Sequence, residues 1–264
     1  MSQELLYEVN NGIALLTLNR PHVGNAFDAP FFKEVIGKFE DLAKDDQVKV
    51  ILLAANGKVF SGGGDINKFK LMVEKKEPFD LDACYNPGRL VTAIRACPKP
   101  VVALVQGAAA GAGFGLAMAC DFRIIGQSTK LVPAFSGIGL PGDNGLFYFL
   151  AQHIGPTRTL EYFALNRPIQ SQEALNLGIV NEVVEDGALK DQGFDFARRL
   201  LNTPLKVFAI QKEWTNRLLY PDLAQALEQE AIGTHLSSKE PALFAAVEAF
   251  LNKEKPDFTK INDM

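Results

Sequence analysis

Along the first two hundred residues the apolar positions follow two alternating patterns. Ile13–Leu18 (IALLTL), residues 48–54 (VKVILLA), 100–105 (PVVALV) and 122–125 (FRII) are short apolar, largely β-branched runs that read as strands. Between the first two, Phe31, Phe32, Val35, Ile36, Phe39 and Leu42 recur at helical spacing, which predicts a helix over 30–43. A second apolar helix is expected over Leu146–Ile154. Strand and helix in alternation predict an α/β fold with parallel pairing and right-handed crossovers. The near-continuous apolar strands agree, because helices cover both faces of a parallel sheet.

The texture changes near residue 200. Residues 202–253 carry no strand signal and read as three helices, 205–219, 223–233 and 237–253. Pro204, Pro221 and Pro241 sit near their starts, where a missing N–H costs little. Two units are therefore expected, an α/β core over 1–200 and a helical region over 201–264. The helices have no strands of their own to cover, so they must pack on the core or on another subunit. The charged end, NKEKPDFTKINDM, is expected to be mobile or held at an interface.

At 264 residues and 47% hydrophobic, the chain is long enough to bury a sizeable core, and its composition excludes disorder. A net charge of −4 argues against a nucleic-acid partner but leaves room for one small anionic ligand held by a few lysines. No apolar run reaches about 18 residues and no basic, then apolar, leader opens the chain, so neither a membrane span nor a signal peptide is expected. Cys84, Cys97 and Cys120 are too scattered for a disulfide framework and read as buried thiols of a reducing compartment, the cytoplasm. His22, His153 and His235 lack metal-ligand spacing and are expected to be structural; no metal site is expected.

Two glycine-rich segments follow predicted strands. Phe60-Ser61-Gly62-Gly63-Gly64-Asp65 comes after VKVILLA, and residues 107–115 (GAAAGAGFG) come after PVVALV and open a helix. Ligands of α/β sheets bind beyond the carboxyl ends of the strands. Two amide donors converging there would make an oxyanion hole; equally, small residues allow tight helix–sheet packing. Asp143, in Gly139-Leu140-Pro141-Gly142-Asp143-Asn144-Gly145, also has two readings. It caps the following helix, or it sits among Phe135, Ile138, Leu140, Leu146 and Phe147 with a raised pKa, poised for proton transfer.

Over nearly its whole length the chain resembles the enoyl-CoA hydratase/isomerase (crotonase) superfamily. The residues that carry the resemblance are Leu16-Thr17-Leu18-Asn19-Arg20-Pro21 with Asn25-Ala26, the 60–65 loop, Gln106 to Asp121, Asn166-Arg167-Pro168-Ile169, Glu173-Ala174, Gly178-Ile179-Val180-Asn181 and the FLNKEKPDF end. The resemblance implies a spiral of ββα units with a C-terminal helical region that builds trimers or dimers of trimers. It implies an acyl-CoA thioester as ligand, with CoA as part of the substrate and no other cofactor. Gly64 and Ala112 would supply the two oxyanion amides. Ala26, Gly62, Asp65 and Ile66 would line the CoA path, Gly111 would lie beside the thioester, and Phe250 and Lys253 would reach a neighbour's CoA.

Departures from the family pattern narrow the chemistry. Hydratases of the family carry two glutamates where this chain has Gly115 and Phe135, so both acid–base groups of water addition are missing. Asp143 stands where other members carry an acid, and the local texture is similar to the ring-epoxide isomerase of phenylacetyl-CoA catabolism. The expected activity is a proton-shuttling acyl-CoA isomerase with Asp143 as the shuttle and Phe135 and Leu140 keeping the site dry. The alternatives are a 2-enoyl-CoA hydratase using another acid, with Glu74 and Glu77 as candidates, and a non-catalytic acyl-CoA-binding relative.

Overall fold

In the computed structural model, which describes residues 4–261, β1 (Leu5–Asn10) and β2 (Ile13–Leu18) form an antiparallel hairpin. Its turn, Asn11-Gly12, takes the left-handed backbone that Asn-Gly favours. The sequence pattern missed β1 because only Leu5 of its six residues is buried, as suits an edge strand. From β2, α1 (Ala29–Lys44) crosses to β3 (Val50–Ala55), which pairs parallel with β2. Then α2 (Ile66–Lys75), α3 (Leu81–Cys84) and α4 (Asn86–Ala96) lead to β4 (Val101–Val105), parallel to β3.

A second layer begins with β5 (Ala108–Ala110) and α5 (Ala112–Ala119), followed by β6 (Phe122–Gly126) parallel to β4. Next come β7 (Lys130–Val132), α6 (Leu146–Ile154), α7 (Pro156–Ala164), β8 (Ile169–Gln170), α8 (Ser171–Asn176), β9 (Glu182–Val184) and α9 (Leu189–Leu201). The large sheet runs β1-β2-β3-β4-β6-β9, parallel except for its first strand, and β5-β7-β8 form a small separate sheet. Those three strands span only two or three residues each, too short for a periodic signal. The glycine run expected to open a helix therefore first pairs as β5.

Alternation along the strands divides the core. Leu16, Leu18, Ile51, Leu53, Ala103, Val105 and Ile125 face α1, α4 and α5 in the main core. Their neighbours Leu15, Val50, Leu52, Val102, Leu104 and Ile124 face Leu189 and Ala197 of α9. Each fully buried Leu or Ile contributes about 1.5–3 kcal/mol, which explains why these strands carry almost no polar residues.

Past residue 201 lie α10 (Leu205–Trp214), extended by a π-helical turn over Thr215–Leu219, then α11 (Leu223–Ser237), α12 (Pro241–Leu251) and α13 (Phe258–Ile261). The third predicted helix starts four residues later than expected, at Pro241, and α11 takes up the difference. A buried ion network docks α10 on the core. The Lys212 ammonium meets Asp121 Oδ2 at 2.8 Å and Arg95 meets Asp121 Oδ1 at 2.9 Å. The Val101 amide donates to Asp121 Oδ2 at 2.9 Å, and Asn216 accepts from Arg95 at 2.7 Å and 2.9 Å. The charged end is not left free up to residue 261, because α13 buries Ile261; residues 262–264 lie outside the described residues. All three cysteines are free and buried. Among the described residues no helix is long and apolar enough to cross a membrane.

Candidate active site

Backbone hydrogen bonds stitch the two glycine-rich segments together. Phe60 and Ser61 donate to the Ala108 carbonyl at 3.0 and 3.2 Å, and Ala110 donates to the Ser61 carbonyl at 2.9 Å. Part of the small-residue content serves this close approach: a Cβ on Gly113 would lie 2.6 Å from the Ser61 carbonyl oxygen. Gly111 then turns the chain into α5 at φ 51°, ψ −122°, a conformation open in practice to glycine alone. A Cβ on Gly63 would lie 3.3 Å from the Ala112 nitrogen, so the 62–64 turn runs directly past the start of α5. Among the described residues neither the Gly64 nor the Ala112 amide has a protein acceptor. Both open on one cavity of about 470 Å³, with the positive end of the α5 dipole behind Ala112.

That cavity collects nearly every residue singled out from the sequence: Ala26, Gly62, Gly64, Asp65, Ile66, Gly111, Ala112, Phe135, Leu140, Asp143 and Phe250. Phe250 of α12 lines its own chain's cavity, and Lys253 is exposed and absent from the lining. Asp65 lines the cavity, but its carboxylate already serves the fold: it accepts the Asn67 amide at 2.9 Å as the cap of α2 and faces the buried Arg20 guanidinium at 3.6 Å.

Asp143 does not cap α6. The cap position belongs to Gly145, with no side-chain hydrogen bond, and Asp143 contributes there only its carbonyl, to the Leu146 amide at 3.1 Å. Its carboxyl lines the cavity, and the buried Oδ1 has no hydrogen-bond partner. Burial pushes the pKa up to about 7. Asn144, in left-handed backbone, donates its side-chain amide to the Ala112 carbonyl at 2.8 Å and so ties the Asp143 turn to the start of α5. This turn also fills the place of the first hydratase glutamate. A Cβ on Gly115 would collide with the Asn144 Cβ and lie 3.3 Å from the Asp143 carbonyl oxygen. At the second position, Phe135 is buried and stacks on Phe163, with centroids 6.2 Å apart.

A second hollow of about 330 Å³ shares Gly64, Asp65, Phe69, Leu140 and Asp143 with the first and continues between Phe27, Phe32, Phe79, Cys84 and Pro87. A larger hollow of about 810 Å³ between α1, α4 and α11 includes neither free amide nor Asp143, and Glu40, Lys44 and Arg89 at its rim are exposed. Glu74 and Glu77, the candidate acids of the hydratase reading, are both exposed and line neither site hollow. The buried acid that sequence reading missed is Glu230. Its Oε2 accepts the Gly145 amide at 2.8 Å and its Oε1 is buried without a partner. The available signal was its place in α11, three residues after Leu227 and four before Thr234, both buried. Two of the histidines sit away from the cavity: His153 is held neutral by burial, with its pKa lowered to about 4, and His235 binds the Phe79 carbonyl at 2.7 Å, whereas His22, also expected to be structural, is exposed and lines the 470 Å³ cavity.

The family model described as enoyl-CoA hydratase/isomerase matches residues 8–261. The chain is 34% identical to the trans-2-decenoyl-[acyl-carrier-protein] isomerase of Streptococcus mutans serotype c, covering 97% of this chain and 98% of that protein. It is 31% identical to the 1,2-epoxyphenylacetyl-CoA isomerase of Escherichia coli K12, covering 98% and 99%. The crystal structure of an enoyl-CoA hydratase from Mycobacterium avium subsp. paratuberculosis K-10 superposes with a TM-score of 0.87 at 30% identity, over 97% of this chain and 98% of that one.

Proposed function

The chain belongs to the enoyl-CoA hydratase/isomerase family, and from that premise we propose that it is an acyl-CoA isomerase acting on an unsaturated or ring-modified acyl group. The observation that carries this reading is the Asp143 carboxyl, buried and unpartnered on the same cavity as two unpaired amides. The Gly64 and Ala112 amides donate to the thioester oxygen, which gains charge as a proton leaves C2 or C4. Asp143 takes that proton and returns it at the other carbon. A base with a pKa near 7 suits both directions of transfer at neutral pH. Each oxyanion donor is worth about 3–4 kcal/mol at the transition state, and the buried Phe135 and Leu140 keep the cavity dry around it.

One carboxyl suffices because removal and return are the same transfer run in opposite directions. Water addition calls for a second group at the cavity. Besides Asp143, the acids that line the hollows serve as helix caps, Asp28 for α1, Asp65 for α2 and Asp80 for α3, and His22 is exposed. Glu74 and Glu77 face solvent, Glu230 lines neither hollow, and Gly115 has no room for a side chain. A protein that only bound acyl-CoA would gain nothing from an unpartnered buried acid, which weakens the fold. The isomerase names of the Streptococcus mutans and Escherichia coli relatives support the reading. A proton shift within one substrate needs no redox group, so CoA enters only as the handle of the substrate. The exposed Val207, Ile210, Trp214 and Leu218 on α10 and its π turn support a subunit interface, proposed as a trimer or a dimer of trimers.

The test offers 2-enoyl- and 3-enoyl-CoA in deuterated water to the protein and to Asp143→Asn. Double-bond migration with deuterium entering at C2 or C4, lost in the variant, is the expected result. Hydration of crotonyl-CoA at a comparable rate, or migration unchanged in the variant, overturns the proposal.

A further inference from the structure

Side chains on one face of α11 grip two other segments of the molecule. Glu230 accepts the Gly145 amide at 2.8 Å, and the Thr234 hydroxyl donates to the Gly142 carbonyl at 3.3 Å, so the two bonds flank Asp143 on either side. One turn further, His235 Nδ1 donates to the Phe79 carbonyl at 2.7 Å and the Ser238 hydroxyl oxygen accepts the Phe79 amide at 2.9 Å. Residues 230, 234 and 238 stand four apart, which puts them in one row along the helix. Of these groups only Glu230 also leaves a buried oxygen unpartnered.

Resting on the Asp143 reading above, we propose that Glu230 is a positioning residue for Asp143: from behind the cavity its Oε2 on the Gly145 amide holds the turn that carries the Asp143 carboxyl. Two carboxyls buried close together cannot both ionise cheaply. Asp143 faces the cavity, whereas Glu230 lines neither hollow and so does not touch substrate. Burial and the charge of Asp143 push Glu230 up to about 8 against the opposing pull of the Gly145 amide. The carboxyl that faces the cavity, Asp143, therefore ionises before the enclosed Glu230 as pH rises.

Groups on the neighbouring elements leave this order intact. Asp143 is the charge that acts on Glu230. Cys84 of α3 is a thiol pushed up to about 11, neutral across this range. Arg89 of α4 is committed to Asp82 at 2.6 Å on the surface, Glu228 on α11 itself is exposed, and His235 is bound to Phe79. Above about pH 8 the Glu230 carboxylate adds a second negative charge behind an anionic transition state, and turnover falls.

The experiment compares kcat against pH for the full chain, Glu230→Gln and Glu230→Ala. The protein itself should give a bell, with both limbs above the ordinary carboxyl range. The Gln variant keeps an acceptor for Gly145 but cannot ionise, so its alkaline limb disappears while its acid limb stays. The Ala variant drops the anchor and loses up to about 100-fold in kcat, the scale of a misplaced catalytic group, with KM little changed. An alkaline limb that persists in Glu230→Gln, or an Ala variant as fast as the parent, overturns the inference. Carboxyl ¹³C titration separates it from the isomerase proposal. In Asp143→Asn the Glu230 midpoint should fall but stay well above the ordinary glutamate range, whatever reaction is catalysed. A midpoint already near 4 to 5 in the parent protein overturns the Glu230 role while leaving Asp143 as the shuttle.

Discussion

Two half-buried aspartates with enclosed carboxyl oxygens, Asp121 and Asp143, are treated in opposite ways. Asp121 has both oxygens met, by Arg95, Lys212 and the Val101 amide, and the network it centres fastens α10 to the sheet. Asp143 has no side-chain hydrogen bond, and a second acid stands behind its turn instead of a cation. A buried carboxylate surrounded by donors is an anchor, fixed in charge. One surrounded by hydrocarbon is unstable as an anion, and that instability is what would suit it to the proton transfer proposed above. The position of an acid relative to cations, more than its burial, separates scaffold from chemistry here.

The largest expected effect tests the reactive member of the pair. Asp143→Asn should cost about 10²–10⁴ in the rate of proton transfer, read as deuterium incorporation into substrate. Its structural counterpart, Asp121→Asn, should leave two buried cations short of a partner and lower stability by about 3–5 kcal/mol, measured by urea unfolding. If both changes affected only stability, the contrast would collapse.

Stability against pH separates the two aspartates more finely. Because burial raises Asp143 from 3.8 to about 7, the folded protein holds that proton more tightly than the unfolded chain. Its contribution is fully present below about pH 4 and is lost as pH rises towards 7. Asp143→Asn should therefore match the parent near pH 4 and exceed it above pH 7, by up to about 4 kcal/mol. His153 runs the other way on acidification. Its folded pKa of about 4 lies below the 6.5 of the unfolded chain, so stability present above about 6.5 is lost as pH falls towards 4. His153→Gln should flatten that loss, roughly 2–3 kcal/mol, in thermal melts at pH 4.5 and 7. Smallest is Gly115→Ala, whose methyl would press on Asn144. About 1–3 kcal/mol of overpacking is expected, with kcat reduced more than affinity because Asn144 carries the Asp143 turn.

Much of this was legible in the sequence where a long period or a strict local geometry wrote it there. The strands β2, β3, β4 and β6, the helices α1 and α6, and the glycine turns all follow from apolar spacing and chain punctuation. The two glycine-rich segments were readable as turns after buried strands, but their spacing left oxyanion donors and tight packing equally open, and Gly64 and Ala112 were singled out by the family resemblance. The short β5-β7-β8 sheet left no period to detect, and β1 shows its apolar face to solvent. Glu230 was hidden for a different reason. Its role depends on α11 packing across the Asp143 turn, a contact between positions 85 residues apart, and a glutamate amid helical polar residues looks like a solvated one. That Phe250 lines the cavity of its own chain was not readable either, since nothing in a linear pattern says over which cavity a terminal helix folds back.

The grip of α11 on Phe79 has a consequence for selectivity. Phe79 walls the hollow beyond Asp143 and is clamped by the same rod that braces the proton carrier. A bulky tail pushing that wall outward would tug the rod and, through it, the reacting carbon's partner. Tail length should then be felt as a change in turnover at saturation, with little penalty in how tightly the thioester is held.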